Sequence, residues 1–226
     1  MKFFHLADLH LGKSIYGLSM LEDQRYWIDR FLERCEQEKP DAVLIAGDVY
    51  DRSAPGGDAV ELLDHLLTTL AEMDITVFMI AGNHDSGQRL SFGQTILAKQ
   101  KIHIAGTVQN ELNHVTLNDS YGPVTFWLMP YTYPEQAASV LEDPTVKTYD
   151  QAVHRLIEAQ AIDRTQRNVI LSHQNVTADG KEAERGGSEL MVGGVGQVDW
   201  SAFEGFEYAA LGHIHSAYPV GRKTIR

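Results

Sequence analysis

The sequence predicts an α/β fold, a sheet of buried strands with helices on its faces. Two observations predict it. Short apolar runs recur along the chain, as in FFHLA (3–7), AVLIA (42–46) and ITVFMIA (75–81). Runs with little polar alternation are what strands covered on both faces show. Between them lie segments whose apolar residues fall at helical spacing. With 226 residues, 43 % of them hydrophobic, the chain can bury a proper core.

The elements follow in order. Residues 3–7 form the first strand. In 20–35, Leu21, Trp27, Ile28, Phe31, Leu32 and Cys35 give a helical stripe, closed by Pro40 and Asp41 before the strand at 42–46. Residues 58–73 carry the clearest stripe: Ala59, Leu62, Leu63, Leu66, Leu67 and Leu70. The third strand is 75–81. A helix over 88–99 and a strand at 101–105 follow. The segments 113–117 and 123–129, split by NDSYG, read as a hairpin. The region 134–162 is mainly helical, with Ala152, Val153, Leu156, Ile157 and Ala161 on one side. Residues 168–172 and 207–212 are two more buried strands, and 177–198, rich in Gly and Glu, is a long loop. There is no internal repeat and no interdomain linker. Val220 to Ile225 reads as a hairpin cut mid-strand, so the chain is expected to be a piece of a longer protein.

Composition excludes several classes. The longest apolar runs are about six residues, far short of a membrane span. The N-terminus carries Asp8 early and has no signal-peptide apolar region. One cysteine, Cys35, rules out an internal disulfide and fits a reducing cytoplasm. The Asn-x-Ser/Thr triplets at Asn118 and Asn175 then read as chance. A formal net charge of −12 argues against broad nonspecific affinity for nucleic acid, although bound cations would add positive charge locally.

The chemistry sits after the strands. The first ends in Asp8-Leu9-His10, the second in Gly47-Asp48, the third in Gly82-Asn83-His84-Asp85. The strand at 168–172 ends in His173, and that at 207–212 in Gly212-His213-Ile214-His215. Strand C-termini of open α/β sheets share one edge, where ligands bind. Groups spread from residue 8 to residue 215 can therefore meet. Each motif alone has an ordinary reading as a turn or surface pair. Five strand ends bearing Asp, Asn or His do not. Aspartate and histidine are ligands for zinc, manganese or iron, and asparagine adds a neutral oxygen. Without thiolates, a structural zinc site is not expected. The set suits two divalent cations, which together lower the pKa of a shared water and neutralise a phosphoryl group.

In order and nearly end to end, these five motifs resemble those of the calcineurin-like metallophosphoesterases. HLADLHLGK, AGDVYDRSAP and GNHDS are most similar to the SbcD family of double-strand-break-repair nuclease subunits. The resemblance implies a β-sandwich flanked by helices, in four layers α/β/β/α, as a single domain over residues 1–226. It implies that Asp8, His10 and His215 hold one metal and Asn83, His173 and His213 the other, with Asp48 bridging. His84 would act on the transition state or leaving oxygen, with Asp85 orienting its ring. The implied metals are two manganese ions, with iron, zinc or magnesium as alternatives. The implied activity is DNA exonuclease, with single-strand endonuclease action, in DNA repair and recombination. Implied partners are DNA, an SbcC-type SMC-like ATPase and a second copy of the chain, with 58–73 and 88–99 (Phe92, Ile96, Leu97) as candidate dimer helices, ordinary core being the alternative for the same stripes.

Two departures stand out. Some relatives carry histidine where this chain has Asp51. Full-length relatives also continue into a capping domain and an ATPase-binding segment, both missing here. The Gly-Asp-x-x-Asp-Arg spacing further resembles the superfamily's protein phosphatases, which makes Arg52 a candidate phosphate contact against a plain Asp51–Arg52 turn pair. Two other readings stay open: a phosphomonoesterase or small-molecule phosphodiesterase, and a metal-bound scaffold without turnover. His5, His65, His103, His114 and His154 match no motif and are expected in core or surface roles. MVGGVGQVD at 191–199 only loosely resembles a phosphate-cradling loop and lacks a following Lys-Ser/Thr.

Overall fold

The computed structural model describes residues 1–178, 196–215 and 217–226. In chain order the elements begin with β1 (Phe3–Leu6), a small hairpin of β2 (Ser14–Ile15) and β3 (Leu18–Ser19), α1 (Leu21–Glu38), β4 (Ala42–Ala46), α2 (Gly57–Glu72) and β5 (Thr76–Ile80). There follow α3 (Gly87–Leu90), α4 (Gln94–Leu97), β6 (Ile102–Ala105), β7 (Asn113–Asp119) and β8 (Gly122–Met129). The remainder is α5 (Pro134–Val140), α6 (Tyr149–Glu158), β9 (Arg167–His173), β10 (Asn175–Thr177), β11 (Gln197–Asp199) and β12 (Tyr208–Gly212).

The strands form two main sheets. The first is all parallel, in the order β1-β4-β5-β6. The second runs β12-β9-β8-β7, and only its β7–β8 pair is antiparallel. Side chains alternate across a strand, and each central strand sorts its residues accordingly. From β4, Val43 and Ile45 pack with α1 and α2, whereas Ala42 and Leu44 face the other sheet. From β9, Ile170 packs outward with α6, while Val169 and Leu171 face inward. Phe78 of β5 and Phe126 of β8 stack between the sheets at 4.4 Å. Fully burying such a side chain contributes about 1.5–3 kcal/mol. Three apolar layers thus separate four structural ones, helices, sheet, sheet, helices, which is the expected α/β/β/α sandwich.

The departures from expectation have local causes. The apolar runs suggested one sheet, but the second sheet is a separate layer. The helix expected over 88–99 is broken into α3, α4 and a short 3-10 turn, because Gly93 takes a left-handed φ of 73°. The helical region at 134–162 divides into α5 and α6. The latter restarts at a capping box in which Thr148 Oγ accepts from Gln151 N–H and Gln151 Oε1 accepts from Thr148 N–H. Most of the loop expected at 177–198, and of MVGGVGQVD, lies outside the described residues; Gln197–Asp199 within it is a strand paired with β10. Residues 220–225 make a tight turn, with Val220 N–H donating to Ile225 O, and Ile225 lies beside β12.

Topology positions the chemistry. β1, β4 and β5 are parallel neighbours, so their C-terminal ends open at one edge. β9 and β12 do the same in the second sheet. The two edges are tied together where His173, ending β9, donates from Nδ1 to Ala46 O, ending β4, at 2.7 Å.

Candidate metal centre

The backbone at this edge is bent in an unusual way. Asp8, His10, Asp48 and His213 all have positive φ, at 55°, 42°, 47° and 87°. Few non-glycine residues do so, and each such conformation costs about 1–3 kcal/mol unless its surroundings hold it. Here they do. The segment after β1 pairs with the segment after β4 through Asp8 N–H to Gly47 O, His10 N–H to Asp48 O and Leu11 N–H to Val49 O, at 2.9–3.0 Å. The effect is to turn carboxylates and imidazoles out of the strand ends into one space.

The side chains converge there in two groups. Asp8, His10 and His215 form the first, with His10 Nε2 3.2 Å from His215 Nε2 and His215 Nε2 3.5 Å from Asp8 Oδ1. Asn83, His173 and His213 form the second: Asn83 Oδ1 lies 3.2 Å from His173 Nε2 and 2.9 Å from His213 Nδ1. Asp48 stands between them. Its Oδ2 is 3.7 Å from His10 Nε2 and 3.4 Å from His173 Nε2. Its other oxygen accepts from His84 N–H at 2.9 Å, which fixes the carboxylate and leaves Oδ2 facing both groups. Because Nδ1 of His173 donates to a backbone carbonyl, its Nε2 lone pair points inward, the tautomer a metal requires. All seven residues expected as ligands are therefore brought together.

The electrostatics fit cations. Burial pushes the Asp48 carboxyl up, but the hydrogen bond and charge of His173, with His84, outweigh it and hold the group at about 2. Burial would lower His173, yet the facing Asp48 raises it. Burial and the neighbouring His173 push His213 down to about 4. Ligand atoms of Asp8, Asp48 and His173 all lie within 4.8 Å of one another. Two carboxylates this close need positive charge between them, and the seven donors are of the type that two divalent metal ions take.

Around the donors, three further residues shape the site. His84 lies beside it, with Nε2 3.9 Å from Asp48 Oδ2 and Nδ1 3.0 Å from Asp51 O. A carbonyl only accepts, so Nδ1 carries the proton and Nε2 faces the centre. Asp85 does not orient this ring, contrary to expectation. Its carboxylate accepts from the backbone N–H of Val49, Tyr50 and Gly82 at 2.8–3.1 Å and so staples the loop after β4 to that after β5. Asp51 is a participant that the sequence left open: its carboxylate lies 3.8 Å from His10 Nδ1 and 3.6 Å from Arg52 Nε. The Arg52 side chain is otherwise exposed. The unassigned histidines take ordinary places, such as His103 stacked on Phe78 and His65 against Asp29.

Glycines make the close approach possible. A Cβ on Gly82 would stand 2.1 Å from Asp48 Oδ1, and one on Gly212 2.1 Å from Ala46 O. Gly82→Ala should therefore displace Asp48, cost about 1–3 kcal/mol of stability and weaken metal uptake. Gly57→Ala, with open space at that position, should change neither. Thermal melts and metal titration of both variants check this.

The chain is similar to several known proteins. The chain is 35 % identical over 229 aligned positions to a Staphylococcus saprophyticus protein named as the SbcD component of nuclease SbcCD, and 32 % identical to its namesake from Staphylococcus epidermidis. Both alignments cover 100 % of this chain but only 59 % and 60 % of the relatives, so it spans about six-tenths of their length. Among solved structures, a dimetal phosphatase from Danio rerio aligns over 79 % of this chain and 72 % of its own, at 14 % identity and a TM-score of 0.44. A family model described as calcineurin-like phosphoesterase matches residues 1–217, nearly the whole chain, and the chain belongs to that family.

Proposed function

We propose that this chain is the nuclease domain of a longer, SbcD-type protein, spanning residues 1–226 and hydrolysing phosphodiester bonds in DNA. The observation that carries it is Asp48 Oδ2 shared between two three-residue donor groups, with the Nε2 of His84 beside them. The two staphylococcal relatives are named as nuclease subunits, which favours a nucleic acid as substrate. Two divalent metals, manganese foremost, would supply an activated water and neutralise phosphate charge. The chain's own residues do the rest. Asp8, His10, Asp48, Asn83, His173, His213 and His215 would hold the cations in a cleft that would otherwise repel an anion. His84, its ring set by Asp51 O, presents Nε2 to the substrate, where a proton stabilises the phosphoryl oxygens or passes to the leaving oxygen. Arg52, exposed and next to Asp51, is within the same loop and can meet a neighbouring phosphate.

The fuller reading is exonuclease action with single-strand endonuclease activity, in cytoplasmic DNA repair and recombination alongside an SMC-like ATPase. No described helix is long and apolar enough to cross a membrane. Phe92 and Ile96, 86 % and 72 % exposed, are a surface on which a second copy can dock.

The test incubates the chain with manganese and labelled duplex DNA, single-stranded DNA or p-nitrophenyl phosphate. DNA cleavage is expected. Cleavage of the small ester alone would favour a phosphomonoesterase, and two bound metals with no turnover a scaffold. Arg52→Ala in the same assay should weaken DNA binding; an unchanged result assigns Arg52 to a turn ion pair.

A further inference from the structure

Three tyrosines in mutual contact stand at the same edge as the metal ligands. Tyr131 and Tyr133 follow β8, and Tyr149 opens α6. Ring centroids are 5.0 Å apart for Tyr131–Tyr133, 6.1 Å for Tyr131–Tyr149 and 6.2 Å for Tyr133–Tyr149. Tyr131 also lies 6.1 Å from the His213 ring and 6.2 Å from that of His173. It touches the ligand set from outside, and Tyr133 stands one ring further out, 44 % exposed.

An exposed aromatic on a connecting segment is ordinarily free to move, but this one is held. Pro134 restricts the residue before it to extended backbone, and Tyr133 sits at φ −77°, ψ 150°. Gln136 Oε1 accepts from Tyr133 N–H at 3.1 Å. Tyr131 N–H donates to Ala81 O at 2.9 Å, and its hydroxyl to that of Tyr149 at 3.3 Å. Thr132, between the two, is fully buried. With its backbone fixed in this way and its ring packed against Tyr131 and Tyr149, Tyr133 has little freedom to lose when a ligand settles on it. Nothing in the hydrolytic chemistry requires it.

We propose that Tyr133 stacks on an unpaired nucleobase next to the scissile phosphate and so favours single-stranded or frayed DNA. The proposal rests on the phosphodiesterase reading above. A base inside a duplex already has both faces stacked, so only an unstacked base can use the ring. Stacking on an aromatic side chain also tolerates any base.

The test uses the chain with manganese, a single-stranded oligonucleotide and its fully abasic tetrahydrofuran analogue. Tyr133→Ala should raise KM for the oligonucleotide about tenfold, the order of one base–aromatic stack, and leave the abasic analogue unchanged. Tyr133→Phe should match the parent on both. Equal losses on the two substrates, or no loss on either, would overturn the stacking role. A second readout needs no turnover. 2-Aminopurine is placed at each oligonucleotide position in turn, and its fluorescence should be quenched at one position by the parent but not by Tyr133→Ala. If neither substrate is hydrolysed, the phosphodiesterase reading falls, and the quenching still decides the stack: no Tyr133-dependent quenching at any position overturns it.

Discussion

His84→Ala should bind as many cations as the parent chain and hydrolyse a phosphodiester about 10²–10⁴ times more slowly, the usual worth of a positioned acid–base group. His84 is also close enough to His10 and Asp48 to join a third group of potential ligands, so a purely metal-holding role is the serious competitor. Three features favour the catalytic role. Each of the other two groups is complete without His84. Its Nε2 is 3.9 Å from Asp48 Oδ2, the longest of that atom's three contacts with histidine. Its side chain is 44 % exposed, where those of His10 and His173 are buried. A group that hands a proton to substrate has to be reachable; a ligand does not. Metal stoichiometry by elemental analysis, beside single-turnover rates, separates the two. Loss of a cation in His84→Ala would make it a ligand.

Asp51 sharpens the same experiment. Its carbonyl fixes His84, and its carboxylate faces His10. Only the second contact depends on the side chain. Substituting Asp51 should therefore disturb His10 and Arg52 while leaving the His84 tautomer in place.

Much of this site was legible because it lies on strand ends, and the strands announce themselves by apolar runs. AVLIA (42–46) is wholly buried, so its apolar run alone was enough to place Asp48 at an edge. The same feature kept the apolar runs from showing the sandwich, which the family resemblance alone implied. Ala42 and Leu44 face one layer and Val43 and Ile45 another, but all are apolar, so the alternation that would reveal two faces leaves no mark in the sequence. The β2–β3 hairpin was missed for the opposite reason. Ile15, Tyr16 and Leu18 are exposed, so no burial pattern exists, and only the Tyr16-Gly17 turn, with both φ positive, distinguishes it. The role that the resemblance implied for Asp85 did not hold, because its actual partners are backbone N–H groups of three residues. Amides carry no residue identity. The aromatic cluster had a signal, the Tyr131-Thr132-Tyr133 run one residue after β8, but Tyr149 joins it only through the fold.

Asp48→Asn should do the most damage, and its pH dependence should show why. The change keeps the size of the side chain and an oxygen to accept from His84 N–H, so it removes charge and little else. With metals, the shared ligand loses its negative charge; at least one cation should be lost and turnover should fall below detection. Without metals, the relevant partner is the proton on His173. The Asp48 carboxyl is held at about 2, so its contribution is present above its unfolded pKa near 3.8 and is lost as pH falls through about 2. His173 is raised above its ordinary 6.5, so its contribution is complete below 6.5 and fades as pH rises through the folded value. The metal-free pair is therefore intact between about pH 4 and 6.5. There Asp48→Asn should cost about 3–5 kcal/mol, the penalty for leaving one partner of a buried pair alone. Above the raised His173 pKa the parent itself buries a lone carboxylate, and the metal-free difference should shrink. The metal-loaded difference should grow over the same range, because His173 binds a cation only after losing its proton. Melting curves from pH 4 to 9, with chelator and with manganese, read both trends. Parallel trends would mean that Asp48 acts as a structural hydrogen-bond acceptor and not as the charge on which both donor groups depend.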